Sequence, residues 1–332
     1  MLSQVVELIE NKKFFGITTH HRPDGDGIGS SLALCWLLKS LGKRAEVIVC
    51  DPVPSSCLRL PGASEVRRVA AIDRDYDAVF VIECSDVERP GIENLDKQFV
   101  VNIDHHSSSS LFGEINWIDA TASAVGEMIY NLCKAIGGRV TREIAECVYT
   151  ALLTDTGSFH YSNTTERTFK VASELIRAGV KPAKLAESVY SSYPWSRVEL
   201  LAQVMSSVKR HDSGTVASLR QTQEMLEKAH ASEEDAEGFV NIPLSSENVE
   251  AVVMLKESAP DVYRVSLRSK GDVNVARIAE KFGGGGHKNA AGCTVTGDWN
   301  RIEDELIEML VEAVKRAHNR LDITEDALAL VN

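Results

Sequence analysis

The stretch from His20 to Ser30, His-His-Arg-Pro-Asp-Gly-Asp-Gly-Ile-Gly-Ser, constrains this chain more than any other. Ahead of it, Phe14 to Thr19 is a short apolar run that reads as a buried strand. Behind it, Ile28, Leu32, Leu34, Leu37, Leu38 and Leu41 recur at helical spacing. The polar residues therefore occupy a loop that leaves a strand and enters a helix. Open α/β sheets bind ligands in such loops, and helix N-terminal amides there favour anions. Asp24 and Asp26 flank one glycine, so a tight loop can aim both carboxylates into one pocket. There they repel each other unless protonated or bound to cations. A nearby histidine with two aspartates suits a divalent metal such as Mn²⁺, Mg²⁺ or Zn²⁺. The plainer alternative has Asp24 capping the helix and Asp26 in solvent.

Ala45 to Cys50, Ala78 to Ile82 and Phe99 to Ile103 read as further strands, with helices around 123–135 and 141–153. Strands alternating with helices predict an α/β fold whose larger N-terminal sheet is mainly parallel, with helices on both faces. The ends of these elements repeat one theme. Glu83 and Asp86 follow Ile82, Asp104, His105 and His106 follow Ile103, and Asp155 follows the second helix. In a parallel sheet all strand C-termini lie on one edge, so these groups can converge although they are distant in sequence. Cys84, beside Glu83, reads as a small buried residue and not as a nucleophile.

A length of 332 residues makes two domains the default. The net charge of −12 argues against a broad surface for long duplex nucleic acid but leaves small anionic substrates open. No stretch approaches a membrane span and no secretory signal is visible at Met1 to Glu7. Seven cysteines without close pairs fit reduced thiols, and a cytoplasmic location is expected. After a helical region over 165–209, broken at Gly179 to Pro182, the composition shifts. Val216 to Leu219, Val249 to Leu255 and Val262 to Arg268 read as strands of a second, smaller α/β domain. A helix over Val275 to Phe282 leads into Gly283-Gly284-Gly285-Gly286-His287, where glycines permit close backbone approach to a ligand or simply make a turn before a strand. Arg268 can hold a terminal phosphate through its planar fork, or end a strand in solvent. The Ile302 to Ala317 helix closes the domain.

These motifs, in this order, resemble the DHH phosphoesterase superfamily. The opening motif runs from His20 to Ser30, the triplet is Asp104-His105-His106, and a further motif is met by Thr154 to Phe159. Gly283 to His287 followed by Ala290-Ala291-Gly292 is similar to the DHH-associated C-terminal domain. The layout looks most like the bacterial nanoRNase and pAp phosphatase branch. The resemblance implies a DHH metal-binding catalytic domain over 1–190, a helical linker or hinge over 191–212, a substrate-binding domain over 213–318 and a tail over 319–332.

The same resemblance implies two divalent ions, Mn²⁺ first, with Mg²⁺, Co²⁺ or Zn²⁺ as alternatives. His20 and Asp24 would ligate one, Asp26, His105 and Asp155 the other, with position 83 bridging. His106 would face the scissile phosphate, and Asp104 would orient a histidine. His21 would line the pocket. Gly285, Gly286, His287 and Arg268 would contact substrate. Where the family usually has a bridging Asp, this chain has Glu83, so the bridge is expected either to work with a longer arm, to pass to Asp86, or to fail and leave a nucleotide-binding regulator. The implied activity is hydrolysis of short oligoribonucleotides and 3′-phosphoadenosine 5′-phosphate (pAp), with cyclic or linear dinucleotides as the alternative substrates. No long duplex and no membrane partner is expected, and a homodimer is left open.

Overall fold

Helix α1 (Leu2–Asn11) leads into strand β1 (Phe14–Thr19), which is buried from Phe15 onward. There follow helix α2 (Gly25–Ser40) and strands β2 (Arg44–Val49), β3 (Arg67–Arg68), β4 (Ala78–Ile82), β5 (Val100–Asp104) and β6 (Ile115–Ile118). All six strands are parallel, in the order β3-β2-β1-β4-β5-β6. The strand order reverses between β1 and β4. A crevice forms at such a switch point, beyond the strand C-termini, because the flanking connections leave in opposite directions. Helices α3 (Val125–Ala135), α4 (Arg142–Asp155), α5 (Glu166–Arg177) and α6 (Pro182–Tyr190) complete this unit, residues 1–192.

The strands bury both faces, as apolar parallel strands do. Phe80 and Ile82 of β4 join Phe15 and Ile17 in a core with the apolar sides of α1, α2, α3 and α4. Val79 and Val81 point the other way, onto Tyr76, Ile92 and Leu95, where a 3-10 turn (Leu95–Lys97) and its flanking loops cover the sheet. Helix α2 approaches α4 closely. A Cβ on Gly29 would stand 2.7 Å from the Cys147 carbonyl oxygen, so glycine is required there by contact. Strands β3 and β6 escaped the sequence reading because they are edge strands of only two and four residues.

The structure, a computed structural model, describes residues 1–191 and 193–329, with the backbone alone at 287 and 320–329. The second unit, residues 193–332, begins with helix α7 (Trp195–Ser206), inside the 191–212 stretch expected to link the domains. Its Leu200 and Val204 are buried with Leu219, Val252 and Met254 of this unit. Strands β7 (Lys209–His211) and β8 (Val216–Gln221), helices α8 (Gln223–Ala229) and α9 (Asn241–Leu244), and strands β9 (Ala251–Ala259) and β10 (Val262–Ser269) follow. Helix α10 (Ala276–Lys281), strands β11 (Gly285–His287) and β12 (Ala290–Thr296), and helix α11 (Trp299–Ala329) end the unit. The sheet runs β11-β12-β10-β9-β8-β7 and is antiparallel except at β8–β9. Tyr263, Val265 and Leu267 alternate inward against Ile278, Leu306 and Leu310 of α10 and α11. Helix α11 continues past Ala317 into the 319–332 segment expected as a tail, of which residues 330–332 lie outside the described residues.

No described helix is long and apolar enough to cross a membrane. All seven cysteines are free thiols, six of them buried and Cys50 half-buried. Burial pushes the Cys84 and Cys147 thiols well up and that of Cys57 to about 12. A thiol-labelling reagent applied to native protein near neutral pH should therefore modify Cys50 alone. That label should vanish in Cys50→Ser and rise to all seven sites on denaturation. Fast native labelling of the buried cysteines would contradict this packing.

Candidate metal centre

Glu83 follows the last residue of β4 and faces the end of β1 across the switch point. Its φ of +58° lies in the left-handed region, which costs a non-glycine residue of order 1–3 kcal/mol and persists where the surroundings enforce it. Its N–H donates to the Ile103 carbonyl at 3.0 Å, so the turn is tied to β5. Glu83 Oε2 then lies 3.7 Å from His20 Nε2. Glycine at position 27 makes room for it: a Cβ there would stand 2.5 Å from Thr19 Oγ1 and 3.1 Å from Glu83 Oε2.

Asp24 and Asp26 divide the two roles weighed for them. Asp24 does cap α2, its Oδ1 accepting from the Asp26 and Gly27 N–H groups at 2.9 Å each. Its other oxygen, Oδ2, lies 3.9 Å from His20 Nε2. Asp26 is not in solvent but buried. It accepts from Ser30 Oγ at 2.6 Å and from the N–H groups of Val125 and Gly126, at the start of α3, at 2.7 and 3.1 Å.

The β5 end supplies the histidines. Asp104 Oδ1 accepts from the His105 and His106 N–H groups at 2.7 and 3.1 Å and from His106 Nδ1 at 2.8 Å. Burial works against the Asp104 carboxylate, yet the His106 contacts outweigh it and hold the group below its usual range. The His105 Nδ1 donates to the Ala122 carbonyl at 3.0 Å, which leaves the Nε2 lone pair facing the crevice. His20 Nδ1 meets the His21 carbonyl at 2.9 Å in the same manner. His105 Nε2 lies 4.0 Å from Asp26 Oδ2 and 3.6 Å from Asp155 Oδ2. Asp155, at the end of α4, is further held by the Asn163 amide at 3.2 Å.

Three overlapping sets of donor atoms result, each within 4.8 Å: His20, Asp24 and Glu83; Asp26, Glu83, His105 and Asp155; and Glu83, His105 and His106. Glu83 belongs to all three. Asp86 belongs to none; its Oδ1 accepts from the Glu88 and Arg89 N–H groups in an exposed turn. His21 is exposed, with its ring Nδ1 and its N–H both on the Arg89 carbonyl.

The electrostatics of the cluster call for cations. Burial, then Asp24, Asp26 and Asp155, push the Glu83 carboxyl far above its usual range. Burial and Asp26 push Asp155 up to about 7. Burial also raises Asp26, and although it disfavours the imidazolium of His105, Asp26 and Asp155 together raise that group. Glu83 Oε2 and His105 Nε2 are buried without a hydrogen-bond partner among the described residues. Carboxylate oxygens mixed with imidazole nitrogens, clustered within 4.8 Å in each set, fit hard or borderline divalent ions.

The second unit carries the remaining candidates. Glycine is needed where this segment meets β12: a Cβ at Gly284, just before β11, or at Gly286 within it would stand 2.2 or 2.4 Å from the carbonyl oxygen of Gly292 or Ala290. Gly285 pairs with Gly292, Gly286 with Ala291 and His287 with Ala290, which also pairs with Arg268. His287 and Arg268 thus share one row of the sheet, two strands apart. The His287 side chain lies outside the described residues.

Asn163, Ser123, Glu127 and the amides of Val125 and Gly126 were not foreseen. They act through ordinary-looking residues or backbone groups, and no local pattern marks such contacts.

Residues 15–152 match the DHH family, N-terminal domain, and residues 212–318 match the DHHA1 domain. The chain belongs to the DHH family. It is 35% identical over 319 residues to the bifunctional oligoribonuclease and PAP phosphatase NrnA of Thermus thermophilus, covering 96% of this chain and 94% of that protein. It is 29% identical to the protein of the same name from Bacillus subtilis, over 87% and 91% of the two chains. A crystal structure of an exopolyphosphatase-related protein from Bacteroides fragilis matches with a TM-score of 0.86 at 29% identity, covering 97% of each chain.

Cation binding should stabilise this unit. With Mn²⁺ at about 100 times its Kd the expected rise in Tm is roughly 5–10 °C. Glu83→Gln should unfold near the native Tm in chelator, because burial and the neighbouring carboxylates raise the cost of a charge on that carboxyl, but should lose most of the Mn²⁺-dependent rise. An equal rise in native and variant protein would place the cations elsewhere.

Proposed function

We propose that this protein is a two-cation phosphoesterase that hydrolyses short oligoribonucleotides and pAp. The observation that carries the reading is Glu83, whose carboxyl is within reach of both the His20–Asp24 donors and the Asp26–His105–Asp155 donors. A bridging carboxylate at that point is what a paired-ion site needs, and the longer side chain suits a working bridge better than a lost one. Relatives named as oligoribonucleases and PAP phosphatases, matched over nearly the whole chain, support the substrate class.

His20 and Asp24 would hold one ion, Asp26, His105 and Asp155 the other, with Glu83 shared. Such ions supply Lewis acidity that activates water and neutralises phosphate charge during in-line displacement. The chain's own residues set the remaining terms. His106, fixed at Nδ1 by Asp104, presents Nε2 and, as an imidazolium, donates to a phosphate oxygen or to the leaving oxygen. The P–O ester bond breaks, water oxygen joins phosphorus, and the leaving oxygen takes up a proton. Arg268, Gly285, Gly286 and His287 are the groups we assign to substrate phosphate in the second unit. Mn²⁺ is the proposed ion because the donor set mixes carboxylate and imidazole. Seven free thiols support a cytoplasmic location.

Hydrolysis of pAp and of an RNA trinucleotide with added Mn²⁺ tests the reading. Native protein should turn over both, and Asp155→Ala should lower kcat by about 10³-fold, the equivalent of several kcal/mol of lost charge stabilisation. Inert native protein that gains activity in Glu83→Asp would make this a nucleotide-binding regulator. Turnover of cyclic dinucleotides alone would overturn the substrate assignment.

A further inference from the structure

The segment 119–127 makes no contact of its own with substrate in the reading above, yet it touches two of the four side chains in one donor set and reaches a third through Asn163. The Ala122 carbonyl holds His105 Nδ1 at 3.0 Å. The Val125 and Gly126 N–H groups hold Asp26 at 2.7 and 3.1 Å. The Ser123 carbonyl accepts from the Asn163 amide at 3.0 Å, and the same amide reaches Asp155 Oδ2 at 3.2 Å. Five consecutive residues thus aim an imidazole and two carboxylates whose donor atoms must converge within ångströms.

What fixes this segment is an ion pair between a buried carboxylate and a half-exposed guanidinium. Glu127 is 1% exposed, and its Oε2 accepts from Ser123 N–H and Ser123 Oγ at 3.1 and 2.7 Å. Its Oε1 pairs with Arg167 Nη2 at 2.5 Å. Arg167 comes from α5, outside the donor sets, and spans the segment. Its Nη2 lies 3.5 Å from Asp119 Oδ2, and Nη1 donates to Thr121 Oγ1 at 3.0 Å. Asp119 in turn donates its N–H to the Asp104 carbonyl at 3.0 Å, closing the loop on the end of β5. A planar guanidinium can make these contacts at once, whereas an ammonium cannot.

We infer that Arg167 is a positioning residue for the cation-binding side chains, acting through Glu127 and the backbone of 119–126. Groups that orient metal ligands from behind tune affinity as well as shape, typically by 10–100-fold. A purely structural ion pair would instead change stability and leave the folded protein's cation affinity alone. The inference rests on the two-cation reading, and its test separates the two.

Mn²⁺ binding is measured by calorimetry on full-length protein, alongside kcat and KM for pAp and thermal unfolding in chelator. Two variants are compared with native protein: Arg167→Lys, and the double variant Arg167→Met with Glu127→Gln, which removes the buried charge together with its partner so that no lone carboxylate opposes folding. The double variant should stay folded, bind one of two Mn²⁺ ions about 10–100-fold more weakly, and lose kcat with little change in KM. Arg167→Lys should fall between it and native protein. Mn²⁺ affinities equal to native in the folded variants overturn the positioning role while leaving the two-cation reading intact. Native protein that binds no Mn²⁺ overturns both.

Discussion

Burying several carboxylates at one sheet edge is the constraint on which the first unit depends. An isolated buried carboxylate costs many kcal/mol unless donors or cations compensate it. The fold compensates some of them with backbone amides. Asp24 takes the first amides of α2, Asp26 takes those of α3, and Asp104 takes those of His105 and His106. Helix N-termini suit this task because their amides lack partners within the helix. Glu83 receives no such donor on Oε2, and Asp155 receives only the Asn163 amide in the described contacts. These two are the carboxyls pushed highest without being satisfied, and they are the ones for which bound cations matter most. The division explains why two helices begin at this edge.

Close packing and strained backbone gather at the same edge. Gly25 and Gly27 let α2 begin against Thr154 and Thr19, where any side chain would collide. Just after Asp155, Gly157, Ser158 and Phe159 have φ of 56°, 62° and 64° in succession. The Thr156 carbonyl accepts from both His160 and Tyr161 N–H at 2.9 Å and so holds that turn. Glu83 adds a further left-handed residue across the crevice. Strain of this kind survives only where neighbouring contacts outweigh it, and rigid placement of donor groups is what it secures here.

Much of this edge was legible in the sequence because its donors follow apolar runs. A buried parallel strand is a short apolar stretch, and the residue that ends it must sit at the sheet's C-terminal edge; His20, Glu83, Asp104 and His105 are found on that rule. Asp155 was legible as the end of a helix with an apolar stripe. What was not legible works through atoms every residue has. The amides of Val125 and Gly126 and the carbonyl of Ala122 leave no mark in an alanine- and serine-rich stretch. Arg167 looks like any charge on an amphipathic helix until its partner, Glu127, is known to be buried. Strand β11 failed the usual signs for another reason. Its sequence, Gly-Gly-His, lacks the branched residues that mark strands, and at Gly286 β12 approaches so closely that a side chain would collide.

The glutamate at position 83 is best understood together with its backbone. An aspartate there would withdraw the carboxyl by one carbon–carbon bond, about 1.5 Å. Glu83 Oε2 stands 3.7 Å from His20 Nε2 and within 4.8 Å of donor atoms from both sides of the crevice. On the present backbone, a carboxyl drawn back toward β4 would lose its place among one set or the other. The longer arm and the left-handed turn therefore belong together: the turn sets where the side chain starts, and the extra methylene restores its reach. Gly27 completes the arrangement by leaving the space that the carboxyl occupies. Length at position 83, strain at position 83 and the missing side chain at position 27 form one solution to a single problem, which is to put one carboxylate between two groups of donors.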